Sequence, residues 1–240
     1  MKPMKAYIPH YTPLTNRYKS IVGTCNELNL QPQIVSAYDR EKLPNKPGES
    51  KQDRILWNSM LELIKPVVMT NAGIENYGSE VPQWAKYRAL KGAEISLTYK
   101  HFLCLLQIAS SKEPGLVFED DILTKPTSRY NLTRALELLG TEADYIDLGG
   151  GCKLPISDTD TKLGGGGIFL RTKPPRSRTT AAYAVTAEGA LTLAEGLFPC
   201  IFPLDWSFQY IFLKKHMRVV WTEPSCLLHG SQDSMQSSIQ

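Results

Sequence analysis

No stretch of this 240-residue chain approaches the roughly 18 uninterrupted apolar residues that cross a bilayer, which argues against a membrane-spanning helix. Its opening, Met1-Lys2-Pro3-Met4-Lys5-Ala6-Tyr7, lacks the apolar core of a signal peptide, so a cytoplasmic or cytosol-facing protein is expected, peripheral membrane contact remaining compatible. An excess of one charge is also missing. Lys and Arg total 27 against 24 Asp and Glu, a net +3 spread along the chain with no basic, aromatic-interleaved segment, so no nucleic-acid partner is expected. Cysteine pairing signals are absent too: Cys25, Cys104, Cys152, Cys200 and Cys226 include no C-x-x-C and are odd in number, which predicts reduced thiols. The four scattered histidines supply no structural zinc spacing. There is no internal repeat and no shift of composition that would mark a second domain. What remains, 42% apolar and 21% charged residues, suffices for one domain with a substantial core.

Short β-rich runs alternate with helix-period runs, the pattern of an α/β layer architecture with a largely parallel sheet. Lys5-Ala6-Tyr7-Ile8 reads as a strand, 15–28 as a helix burying Tyr18, Ile21, Val22, Cys25 and Leu28, and 33–37 as a second strand, together one βαβ unit. Residues 39–50, with Pro44, Asn45, Pro47 and Gly48, form a loop ahead of a helix carrying Ile55, Met60, Leu61 and Ile64. The longest helical pattern, 81–111, aligns Ile95, Phe102, Leu103, Leu106 and Ala109, with Gly92 able to divide it and Pro114-Gly115 ending it. A helix over 131–139, capped by Asn131 and closed by Gly140, leads to a strand at 144–148. Residues 149–180 break the rhythm with Gly149-Gly150-Gly151, Gly164 to Gly167 and a Pro/Arg cluster, so a structureless functional loop is expected there. A strand at 181–185, a Thr186-capped helix running to 198 and a strand at 218–221 follow, and 231–240 reads as a loose polar tail.

The chemistry concentrates at Leu116-Val117-Phe118-Glu119-Asp120-Asp121, an apolar strand stopping on three acids. In open α/β sheets ligands bind beyond the carboxyl ends of strands. Three carboxylates there repel one another, and a hard divalent cation relieves that repulsion, especially when substrate phosphates complete its shell. A diphosphate is the natural substrate. An exposed acidic turn without a ligand is the competing reading of these residues taken alone.

The chain resembles glycosyltransferase family 25, which includes lipopolysaccharide glycosyltransferases and procollagen galactosyltransferases. The resemblance is carried by 91–101 (Lys-Gly-Ala-Glu-Ile-Ser-Leu-Thr-Tyr-Lys-His), by the strand with Glu119-Asp120-Asp121, by Ala182-Tyr183-Ala184-Val185-Thr186-Ala187-Glu188-Gly189-Ala190, and by Pro203-Leu204-Asp205, in matching order over most of the chain. Ser96-Leu97 stands where Gly-Cys is usual, Lys100 where Ser is usual, and Ile8-Pro9-His10-Tyr11-Thr12 where Ile-Asn-Leu is usual. The resemblance implies an A-type glycosyltransferase fold over 1–230, with a Rossmann-like, mostly parallel sheet flanked by helices. It also implies a nucleotide-sugar donor, most often a uridine diphosphate hexose, a glycan acceptor, Mn²⁺ or Mg²⁺, and inversion at the anomeric carbon.

On that footing Asp121 is expected to ligate the metal, and Glu119 or Asp120 to hold the ribose or a metal-bound water. His229 follows the last strand, where such enzymes return a histidine to the metal; a lone histidine there is otherwise inert. Arg17 fits a diphosphate contact or a solvated place on the first helix. Arg176 and Arg178, with Lys173, are cations that could close with the glycine-rich loop over a diphosphate. Asp205 fits the base that deprotonates the acceptor, or a helix N-cap. Trp206 and Trp84 could stack on sugars or fill the rim. His101, flanked by Phe102 and Leu103, reads as a packed or hydrogen-bonded residue, and His10 and His216 carry no pattern. Water as acceptor would make the same site a metal-dependent nucleotide-sugar hydrolase, and loss of activity would leave a glycan- or nucleotide-binding module. Two-metal hydrolases need more dispersed acids and histidines than occur here, and the intact acids argue against the module.

Overall fold

The computed structural model describes residues 3–43, 90–152, 154–163, 169–198 and 202–230. The expected helix at 55–64, Trp84, Cys200, the glycine run 164–167 and the tail 231–240 lie outside the described residues.

The expected βαβ unit is present as β1 (Lys5–Pro9), α1 (Thr15–Glu27) and β2 (Gln31–Val35), with Ile8 opposite Ile34 in parallel register. Ile21, Cys25 and Leu28 are buried as expected, whereas Tyr18 is exposed and Arg17 and Thr24 point inward. The arginine joins that face because it is drawn in by carboxylates described below. A single 3₁₀ turn (Arg40–Lys42) follows β2.

The next described helix, α2 (Gly92–Ser111), begins where Gly92 was expected to divide the pattern, and the Glu94 side chain accepts a hydrogen bond from the Lys91 main-chain N–H at 2.8 Å. It ends at Lys112, which takes a left-handed conformation (φ 59°) ahead of the expected Pro-Gly stop. Its inner face includes Ile95, Thr98, His101, Cys104, Leu105 and Ile108, whereas Leu106 is exposed. Two buried polar residues, Thr98 and His101, hid that face from an apolar count. Gly115 opens β3 (Gly115–Phe118) because a Cβ there would stand 2.5 Å from Ile108 Cγ1, so only glycine lets helix and strand approach this closely.

Beyond the acidic triplet come β4 (Ile122–Leu123), α3 (Ser128–Leu136) and β5 (Tyr145–Asp147). Asn131 lies inside α3 rather than capping it, and Thr127 holds the cap position; Gly140 takes the positive φ (82°) of the turn after the helix. The span 149–180 is not structureless: β6 (Thr161–Leu163) and β7 (Phe169–Arg171) pair antiparallel within it, and β7 joins the sheet edge against β9 (Val219–Thr222). Two three-residue strands were too short to register as a pattern between glycines. The chain continues through β8 (Ala182–Val185), α4 (Ala187–Gly196), α5 (Leu204–Lys214), β9 and β10 (Leu228–His229). Thr186 caps α4 as expected, accepting from Gly189 N at 2.9 Å.

The large sheet has the order β2-β1-β3-β8-β5-β9-β7-β6. From the pairings, all its strands but β8 and β7 run one way. Alternation along each strand feeds two cores. Ile8, Leu116, Phe118, Ile146 and Val220 face Ile21 and Cys25 of α1 and Leu132 of α3. Tyr7, Val117, Tyr145, Tyr183 and Val219 face Leu105 and Ile108 of α2, Leu193 of α4 and Phe208 of α5. Both faces being covered explains the continuous apolar runs of the central strands. Cys25, Cys104 and Cys226 are buried thiols and Cys152 an exposed one, none of them in a disulfide. No helix among the described residues is long and apolar enough to cross a membrane.

Candidate active site

Strand β1 continues to β2 on one side and has β3 on the other, so the carboxyl ends of β1 and β3 flank a topological switch point. Glu119-Asp120-Asp121 leaves β3 there, opposite His10 and Tyr11 at the end of β1. The three acids meet different fates. Asp120 turns into the protein: it accepts from His10 Nδ1 at 2.7 Å and from Arg17 Nη1 at 2.9 Å, all three residues being buried. Burial pushes the Asp120 carboxyl up, but the hydrogen bonds from His10 and Arg17 outweigh it and hold the group below its ordinary range. Arg17 also lies 3.5 Å from Asp121 Oδ2, so its guanidinium is engaged by the triplet itself. Asp120→Ala should therefore destabilise the fold, because it takes from buried Arg17 and His10 the carboxylate they bond at 2.9 and 2.7 Å and leaves Arg17 the longer Asp121 contact. A urea melt reads this as a lowered midpoint.

A second buried pair fixes the opposite wall. Lys100 donates to His10 O and to Asp39 Oδ1, each at 2.5 Å, and Thr12 also bonds Asp39. Burial raises the Asp39 carboxyl, yet the hydrogen bonds from Lys100 and Thr12 bring it net below its usual value. Lys100, at the position where the family pattern has serine, thus ties α2, the loop after β2 and the end of β1 together. Above this floor lies a small cleft of about 40 Å³, open to solvent and lined by Tyr11, Arg40, Ser96, Lys100, Glu119 and Asp120 among others. The Arg40 guanidinium sits 4.6 Å over the Tyr11 ring at its mouth.

Glu119 and Asp121 remain at the crevice. The short β4 pairs antiparallel with β10, setting His229 opposite Ile122, and Gly230 N donates to Asp121 O at 2.8 Å. That pairing returns the end of the described chain to the triplet: His229 Nε2 lies 3.6 Å from Asp121 Oδ2. Glu119, Asp121 and His229 each offer one ligand atom, all within 4.8 Å of one another. Buried His229 Nδ1 has no hydrogen-bond partner among the described residues. Two carboxylate oxygens and an imidazole nitrogen at that spacing fit a Mn²⁺- or Mg²⁺-type ion. Burial, with the Asp121 and Asp120 charges behind it, pushes the Glu119 carboxyl up to about 8.

Asp205 lies one residue inside α5, whose cap position is Pro203, so the N-cap alternative does not describe it. It is exposed, its Oδ1 accepts from Trp206 N at 3.0 Å, and its charge adds a small part to the raising of the Glu119 carboxyl. Trp206 is half-buried beside it.

Arg176 and Arg178 sandwich the buried Trp221 indole at 4.7 and 4.9 Å. Arg176 bonds Asp160 at 2.6 Å; Arg178 bonds Glu223 at 2.8 Å and Thr222 O at 2.7 Å. Asp147, buried at the end of β5, accepts from Ser177 Oγ at 3.0 Å, Arg178 N at 2.7 Å and Gly150 N at 3.1 Å. The arginines that could have formed a sliding cover are thus bound into the wall. His10 and Lys100 escaped sequence reasoning because nothing local marks them; their partners are 110 and 61 residues away.

An acid-lined crevice at the switch point of a doubly covered α/β sheet defines the class of open-sheet proteins whose ligands bind beyond the carboxyl ends of the strands. Within that class the chain belongs to glycosyltransferase family 25 (LPS biosynthesis protein), whose sequence model matches residues 4–208. It is a glycosyltransferase. Comparison with curated proteins finds no match. Similar solved chains include an apo UDP-glucose pyrophosphorylase (13% identity, covering 92% of this chain and 90% of that one, TM-score 0.42). Another is a protein assigned as a glucose-1-phosphate thymidylyltransferase from Bacillus anthracis in complex with a sucrose (10% identity, 91% and 86% covered, TM-score 0.41).

Proposed function

We propose that the protein transfers a hexose, with inversion, from a nucleoside diphosphate sugar, UDP-hexose favoured, to a hydroxyl of a glycan acceptor with the help of Mn²⁺ or Mg²⁺. The observation that carries this reading is the convergence of Glu119, Asp121 and His229 beside the solvent-open cleft lined by Tyr11, Arg40 and Lys100. Those three residues would hold the ion, which when bound supplies Lewis-acid neutralisation of the departing diphosphate. Asp205 takes the acceptor proton as the acceptor oxygen bonds the anomeric carbon and the carbon–phosphate oxygen bond breaks. The cleft walls at Tyr11, Arg40 and Lys100 receive the nucleoside, and Trp206 offers an aromatic face to the acceptor sugar. Asp120 and Arg17 serve the donor through the shape of the triplet. Arg176 and Arg178 do so through the wall they pin.

Incubation with a panel of nucleotide sugars, Mn²⁺ and simple glycosides should yield a new glycoside of inverted anomeric configuration by NMR, and excess chelator should stop it. Free sugar alone would establish a hydrolase. Neither product with any donor, despite nucleotide binding, would establish a binding module.

A further inference from the structure

One polar group at the crevice is left over by the mechanism. His101 is wholly buried on α2, and its Nε2 makes no hydrogen bond among the described residues. That nitrogen lies 3.7 Å from Glu119 Oε1, while Nδ1 lies 3.1 Å from the Tyr183 hydroxyl. The Tyr183 ring stacks on His101 and Tyr145, and Phe208 of α5 closes edge-on against both Tyr183 and His101.

We propose that His101 is a positioning residue: Tyr183 fixes it as the Nε2–H tautomer, and that N–H is the donor that aims the Glu119 carboxylate at the crevice. The chemistry of the pocket selects the tautomer. The Tyr183 hydroxyl has Nδ1 as its one hydrogen-bond partner among the described residues, so it donates there and leaves the imidazole proton on Nε2. The opposite tautomer would leave the buried Tyr183 proton without an acceptor among the described residues. Thr180 Oγ1 donates to the same Glu119 oxygen at 3.2 Å, so Oε1 is held from one side and His101 Nε2 stands 3.7 Å away on the other, within reach of a small closing shift. Such outer partners orient a metal-binding carboxylate. The His101–Tyr183–Phe208 stack also joins the acidic triplet to the helix that carries Asp205, so the two halves of the crevice share one buried support.

This inference rests on the reading of Glu119 as part of a metal and donor site, and one experiment with two readouts separates the two claims. In metal-free, ¹⁵N-labelled protein, long-range imidazole correlations should show His101 protonated at Nε2, and Tyr183→Phe should abolish that preference. Titration with Mn²⁺ alone should show His101→Leu weakened about 10- to 100-fold, with His101→Gln, whose amide can present an N–H near the same place, restored to within a few-fold. An Nδ1–H tautomer, or His101→Leu binding Mn²⁺ like the wild type, overturns the proposal. Wild type failing to bind Mn²⁺ overturns the metal reading instead, and the tautomer still decides the role of His101. Should His101→Leu fail to fold, His101→Gln and the tautomer carry the decision.

Discussion

Asp205→Asn lowers transfer by roughly two to four orders of magnitude while the protein melts almost where the wild type does. An amide cannot take the acceptor proton, so the chemical step fails whether or not both substrates are seated. Stability is spared for a structural reason: Pro203 holds the cap position of α5, and Asp205 is exposed one residue inside the helix. Its Oδ1 bond to Trp206 N is one an asparagine oxygen repeats. The substitution forfeits only the attraction between a carboxylate and the helix N-terminus, about 0.3–1 kcal/mol at an exposed site. Initial rates with labelled donor, equilibrium donor binding and a thermal melt make the three measurements. Lost turnover with retained donor binding and melting confirms the base; near-normal turnover would move the role elsewhere and leave Asp205 as helix-terminal charge.

Asp121→Ala abolishes metal-dependent transfer and Mn²⁺ binding together, because it takes the central carboxylate from a three-residue cluster and leaves Glu119 and His229 alone. The fold survives. The β4–β10 pairing depends on the main-chain bond from Gly230 N to Asp121 O, which alanine keeps, and Arg17 retains Asp120 at 2.9 Å. Loss of one charge also eases the repulsion the triplet imposes on Glu119. Circular dichroism melting beside a Mn²⁺ titration gives the comparison, and full activity in this variant or in excess chelator would sink the metal assignment. The contrast with Asp120→Ala is the sharper test: adjacent acids, one lost to function and the other to stability, because Asp120 is bonded by His10 and Arg17 while Asp121 clusters with Glu119 and His229.

The sequence by itself determined the α/β alternation, the first βαβ unit, the strand that delivers the triplet, the Thr186 cap and the family, since each is written in local periodicity or a contiguous motif. Even the acids' place at a strand's carboxyl end follows from six consecutive residues. Tertiary structure alone decided which acid is bonded to His10 and Arg17 and which ones cluster with His229, because the first two lie more than 100 residues from Asp120 in sequence. It decided that Arg17, not Tyr18, turns inward, since apolar period cannot foresee a carboxylate that pulls an arginine into the core. It turned part of the glycine-rich span into the β6–β7 edge and bound its arginines to Trp221, Asp160 and Glu223, all contacts set by packing. It also brought His229 to Asp121 through a two-residue strand pairing, and His101 to Glu119 across the face of Tyr183. Pairing and burial join residues that chain order separates, and a sequence records only the order.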